Sequence, residues 1–191
     1  MRRILIRILA AVAILAGVFF VLDRVSLFVP IAADGTSGMA SAIPACDGRA
    51  LAEGFTYKFR DPRRGEVVAI HAQREAGRVT PDPDSRDLAL ASRVIGVPGD
   101  QVVGRAGRVY VNGIKVDDIL TPPFKLVDLA GDRFFVLGDN RSVARDSRAF
   151  GPVADDAIFG RVFLVFWPLG DFGPPEGRHA GRAPGELCGP G

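Results

Sequence analysis

The stretch QVVGRAGRVYVNGIKV, residues 101–116, constrains the fold more than any other part of the chain. Asn112-Gly113 separates RVYV from IKV. A two-residue type I′ turn needs positive φ at both central positions, and Asn-Gly supplies it at least cost. Such a turn can join only antiparallel neighbours. Similar short runs rich in Val, Ile and Phe recur at 65–70, 91–97, 133–139 and 160–167, each of strand length. Pro98-Gly99 suits a type II turn, with proline setting φ and glycine taking the positive value. REAGRVTPDPDSRD, residues 74–87, is polar with two prolines and reads as an exposed loop. Sequential strands, tight turns and no strong helical period predict a mostly β body, an antiparallel sandwich or partial barrel.

One segment breaks this pattern. MRRILIRILAAVAILAGVFFVLDR opens the chain, and its apolar run from Ile8 to Leu22 is uninterrupted. With Ile4, Leu5, Ile6 and a snorkelling Arg7 it is long enough to span a thin bilayer as one helix over about residues 4–22. Arginines precede it, so the N-terminus is expected in the cytoplasm and the β body on the outer side of the cell membrane. The other reading is a cleaved signal peptide. FFVLDR offers no small-residue cleavage site and PIAAD a weak one, which favours the anchor. The division expected is a cytoplasmic tip and anchor over 1–24, a β domain over 25–170, and a Gly/Pro-rich, loosely ordered tail over 171–191.

The formal charge is +2, and the N-terminal arginines supply all of it. The near-neutral body has no basic stripe, so nucleic acid is not an expected partner. Cys46 and Cys188 either pair as a disulfide in an oxidising compartment or remain two thiols. No Cys or His spacing suggests a metal, and no cofactor motif is present. His71 and His179 read as surface residues.

VLGDNRSVARDSRAFGPV, residues 136–153, carries more alternating charge than a turn requires. Taken in order with the N-terminal run, FTYKFRDPRRGEVVAI, SRVIGVPGDQV and VYVNGIKV, it resembles bacterial signal peptidase I over most of residues 4–168. That family is membrane-anchored and removes signal peptides from exported proteins with a Ser/Lys dyad. The resemblance implies an ion-pair frame of Asp139, Asn140, Arg141, Asp146, Ser147 and Arg148. Arg148 is expected to pair with Asp139 or Asp146 and to be partly buried.

The chain departs from the family where the chemistry sits. A solvated lysine has a pKa of about 10.4, so a lysine base must be desolvated to be neutral at working pH. The family places that lysine just before RVIG or RAVG, and here Ser92 stands there. The family's nucleophile motif is roughly S-M-x-P-T-L. Aligning Met39 puts Gly38 at the nucleophile position; a second register sets Ser41-Ala42-Ile43-Pro44 on the motif and keeps Ser41, and Ser37 is a third choice. The serine that orients the lysine in GDNRxxSxDSR is Ala144 here. Lys58, Lys115 and Lys125 read as exposed, and His71 does not occupy the lysine position.

Two functions follow. One is a pseudo-peptidase that accepts an extended peptide or signal-peptide region without cutting it, by strand addition. The other is an active signal peptidase using Ser41 or Ser37 with an unidentified base. Restoring Gly38→Ser together with Ser92→Lys is expected to return cleavage in the first case.

Overall fold

The computed structural model describes residues 7, 9–17, 26–30, 38–39, 42–43, 48–167 and 169–175. Residues 9–17 form a helix, α1, with Leu9, Val12, Ile14 and Leu15 exposed. Among the described residues no helix is long and apolar enough to cross a membrane. Of the expected span over 4–22, residues 4–6, 8 and 18–22 lie outside them, as do Cys46, Cys188, His179 and the tail from 176 onward.

The body is mostly antiparallel β, as the turns predict. In chain order its strands are β1 (Ser26–Pro30), β2 (Arg49–Glu53), β3 (Val67–Glu75), β4 (Arg78–Pro81), β5 (Leu88–Gly96) and β6 (Gln101–Arg105). They continue as β7 (Arg108–Val111), β8 (Ile114–Lys115), β9 (Phe124–Asp128) and β10 (Arg133–Leu137). A short helix α2 (Ser147–Phe150) precedes β11 (Val153–Ala154) and β12 (Ile158–Trp167). The larger sheet runs β1-β2-β12-β3-β5-β10-β11, with β4 paired to β3, and the smaller runs β8-β7-β6-β9.

Successive side chains on a strand face opposite sides, and the centre of the larger sheet is covered on both. Val67 and Ala69 of β3 pack with Met39, Ile43 and Val162. Val68 and Ile70 pack with Val94, Phe134 and Val136 on the other face. A strand buried on both faces must be apolar without alternation, hence the run VVAI over residues 67–70. In β10, Phe134 and Val136 serve that second cluster while Phe135 and Leu137 join Ile95, Val102 and Val109 beneath the smaller sheet. Leu137 and Ile95 thus link the two sheets.

Three two-residue turns shape the hairpins. Asn112 and Gly113 have φ of 51° and 80°, the values the dipeptide predicts. Ala106-Gly107 and Ala76-Gly77 adopt the same conformation with alanine in the left-handed region. The second corrects the loop expected over 74–87, most of which is the β3–β4 hairpin. Asn-Gly announces such a turn and Ala-Gly does not. The tail begins with more order than expected: Gly173 pairs with Val165 through both backbone hydrogen bonds, at 2.7 and 3.0 Å.

Candidate functional site

β10 ends at Leu137 and delivers Gly138 into a compact turn. The backbone N–H groups of Val143 and Ala144 donate to the carbonyl of Asn140, at 3.3 and 3.0 Å. Asp146 then caps α2: its carboxylate accepts from the Arg148 N–H at 3.1 Å, from Arg148 Nε at 2.8 Å and from Arg148 Nη2 at 2.7 Å. It also accepts from the Gly138 N–H at 3.1 Å. Of the two partners expected for Arg148, the structure selects Asp146, and the arginine is partly buried, 14% exposed. The Ser147 hydroxyl accepts from the buried Val136 N–H at 3.0 Å.

Asp139 serves a different arginine. Arg93 Nε and Nη2 hold its two oxygens at 2.7 and 2.6 Å. A bidentate pair fixes position as well as charge, so β5 and the turn are locked together at Arg93. Arg141 is buried and donates to three acceptors: the Gly138 carbonyl at 2.8 Å, Thr121 Oγ1 at 2.9 Å and Asp117 Oδ2 at 2.6 Å. It ties the turn to the smaller sheet. The exposed Arg145 reaches the Gly77 carbonyl of the β3–β4 turn at 2.6 Å. The sequence pointed to the charges of this frame but not to Arg93, Thr121 or Asp117, because partners tens of residues apart leave no local pattern.

Ser92 adjoins Arg93 on β5 and is buried, 3% exposed. It pairs with Val68 and shares its face of the strand with Val94, both fully buried. Leu137 pairs with Arg93, so one step further along the antiparallel register Gly138 falls beside Ser92. The surroundings are those that would desolvate an amine, and the residue there is a hydroxyl.

Gly38 meets the turn from the other side. Its carbonyl accepts from the Asn140 N–H at 2.8 Å. Met39, fully buried in the core, anchors this contact. A methyl group placed on Gly38 would lie 2.7 Å from Cβ and 3.0 Å from Cα of Ala144. One placed on Gly138 would lie 2.4 Å from the same Cβ. Positions 38, 138 and 144 therefore close on one another, with Ser92 alongside, and the register that aligns Met39 brings Gly38 against Ala144. Ser37 and Ser41 lie outside the described residues.

The remaining basic residues are elsewhere. Lys115 pairs with Asp118 at 2.6 Å, and Lys58 and Lys125 are exposed. His71 corrects the expected surface position: it is 8% exposed and stacks on Phe159 at 4.0 Å between centroids. Burial, with a smaller contribution from the charge of Arg86, lowers its pKa. It lies on β3 three residues beyond Val68, the partner of Ser92, with its side chain on the opposite face of the sheet.

Two further carboxylates stiffen the approach to β5. Burial alone would raise Asp100, yet Arg64, the Val97 N–H and Asn112 Nδ2 outweigh it and hold the pKa down. Burial likewise opposes ionisation of Glu66, and Arg60, the Arg63 N–H and Tyr57 overcome it. Among the described residues no cluster of His, Cys, Asp and Glu could hold a metal.

The chain is similar in sequence to known proteins. The chain is 37% identical over 135 residues to "Signal peptidase I" of Leptolyngbya laminosa, covering 66% of this chain and 65% of that one. It is 38% identical over 126 residues to "Probable signal peptidase I-2" of Synechocystis sp., covering 63% and 56%. To "Signal peptidase IB" of Staphylococcus aureus it is 35% identical over 150 residues, covering 66% and 72%. The chain thus spans less than two thirds of the first two relatives. A crystal structure of a signal peptidase I from Enterococcus faecalis superposes with a TM-score of 0.42 at 26% identity, covering 53% of this chain and 97% of that one. The family model described as signal peptidase, peptidase S26, matches residues 3–167, from the N-terminal apolar run to the end of β12, and the chain belongs to that family.

Proposed function

We propose that this chain is a membrane-anchored, signal peptidase-like protein that receives an extended peptide and does not cut it. The observation that carries the reading is the contact of Gly38 with Ala144 beside a buried Ser92. In a serine peptidase the hydroxyl attacks the carbonyl and a neighbouring base takes its proton. Gly38 has no side chain to attack with, Ser92 has no base to offer, and Ala144 has no hydroxyl to orient one. A serine hydroxyl cannot act as a base near neutral pH. The ion pairs that shape the surroundings are kept. The outcome is a site that retains its frame while its reactive atoms are absent.

A peptide held by such a frame would add as a strand, its backbone supplying affinity and small side chains filling shallow pockets. The signal-peptide region of an exported protein is the ligand that the family reading favours. The test is photo-crosslinking of a signal peptide, bearing a diazirine near its cleavage site, to the full chain in detergent micelles. The expected result is a crosslink to full-length peptide that unlabelled signal peptide competes away. Absence of any competed crosslink would contradict peptide binding. Crosslinks only to cleaved fragments would favour an active peptidase working through Ser37 or Ser41.

A further inference from the structure

β12 has one edge that its own sheet leaves unfinished. β2 lies along one side of it, pairing Ala50 with Val165. On the other side β3 follows it only as far as Arg161, opposite Val68. Beyond that point the edge is taken by the chain's own residues 172–175, which return after a short 3-10 turn at Leu169–Asp171. Gly173 makes both backbone hydrogen bonds to Val165, and there the pairing stops. Antiparallel register sets Pro175 opposite Phe163 for the next rung. Proline has no N–H to give, and the Pro175 carbonyl accepts instead from Arg93 Nη2 at 3.3 Å. The β2 register also skips Phe163, at an irregularity between Val162 and Leu164.

The unmade rung opens on a cleft of about 200 Å3, lined by Val67, Arg93, Arg161, Phe163, Pro174 and Pro175 among others. Arg161 shows the same incompleteness: its Nε is buried with no hydrogen-bond partner, 3.4 Å from Glu53 Oε1. The charges around the cleft are matched, Arg93 by Asp139 and Glu66 by Arg60. They favour a peptide backbone over a free anion. An unfinished sheet edge is a template for another strand. The segment seated there is a poor strand, held by the Val165 pair and one long bond to Arg93. A segment with an N–H in place of Pro175 would make the rung to Phe163 that the tail does not.

We propose that the β12 edge from Phe163 to Val165 is a strand-addition site for an extended peptide with no proline opposite Phe163. Residues 172–175 are the displaceable strap that covers it. Displacement takes the Pro175 carbonyl away from Arg93, the arginine that holds Asp139, so occupancy of the edge is felt at the charged frame. The proposal goes beyond the peptide reading of the Gly38 site and does not rest on it.

The experiment uses the full chain in detergent micelles and two fluorescein-labelled heptapeptides. One is LGDFGPP, the sequence of residues 169–175, and the other is LGDFGVV. Saturable binding of LGDFGVV is expected, with LGDFGPP weaker by roughly tenfold because the rung to Phe163 is lost. In the chain, Pro175→Val should complete the strap's own ladder and weaken binding of LGDFGVV. Gly173→Pro removes a donor and cannot hold the φ of 146° found there, so it should loosen the strap and strengthen binding. Hydrogen exchange at the Phe163 amide should slow with LGDFGVV and with Pro175→Val alike, a local readout that a change in overall stability does not imitate. No saturable binding of LGDFGVV, equal binding of the two peptides, or slowing at another strand edge with Phe163 unchanged would overturn the proposal. A dimer that slows Phe163 without added peptide would assign the edge to a second copy and overturn it too. Signal-peptide crosslinking is a separate readout, so failure here leaves the reading of the Gly38 site standing.

Discussion

At position 38 the obstacle to a nucleophile is space. The backbone of Gly38 lies outside the left-handed region that resists side chains, yet a Cβ there would fall 2.7 Å from that of Ala144. A clash this close forces movement, and overpacking of a tight site typically costs about 1–3 kcal/mol. Gly38→Ser should therefore lower stability, and Ala144→Gly should recover part of the loss. A double-mutant cycle in urea should give a coupling energy of about 0.5–3 kcal/mol; additive effects would mean that the two residues do not share the space. The simple restoration by Gly38→Ser with Ser92→Lys is thereby revised. Cleavage should return only weakly unless position 144 is also relieved, and Ala144→Ser, which enlarges the crowded residue, should not help. Ser92→Lys introduces an amine between buried valines, where desolvation depresses the pKa by up to several units. Titration by NMR of a 13C-labelled lysine should show this, and an ordinary lysine value would mean that the pocket admits water.

Among the elements, the turns and the charged frame behave differently from one another. Alanine in the left-handed region costs roughly 1 kcal/mol, and asparagine is tolerated there. Ala106 is exposed with φ of 48°, so Ala106→Asn should raise the urea midpoint. Asn112→Ala should lower it by more than that gain, because Asn112 also donates to Asp100 at 2.9 Å. The turn at 112–113 was legible because its residues are the ones the geometry demands; the turns at 76–77 and 106–107 were not, since their strands impose the conformation on alanine. The frame shows the same boundary. Asp146 and Arg148 are two residues apart, so their pairing lay within the local pattern. Asp139 and Arg93 are joined only by folding, and the motif left the partner of Arg148 undecided between two acids. Removing one member of a buried pair strands the other charge and costs about 3–5 kcal/mol. Arg148→Ala, which abandons a fully buried Asp146, should therefore melt well below Ala144→Ser. Equal melting points would mean that the frame is not structural.

For the whole molecule, pH and turnover are the informative variables. His71 is buried against Phe159 with its pKa lowered. The unfolded chain then binds a proton that the folded chain resists. Stability from this group is present above the unfolded value of about 6.5 and is lost as pH falls through the folded value. The melting temperature should drop below pH 6.5, and His71→Phe should flatten that part of the curve. An unchanged profile would mean that His71 is hydrated in the folded state. The architecture was legible because strand length and turn chemistry are local. The arrangement of residues 38, 92 and 144 was legible only through the family resemblance, since nothing in their own types marks a site. The central claim is that this site does not turn over. It is tested most directly by incubating the full chain in detergent micelles with a preprotein and following mature product by mass spectrometry. No mature product above a no-protein control is expected from the unmodified chain. Robust processing that Ser41→Ala or Ser37→Ala abolishes would contradict it and identify the nucleophile.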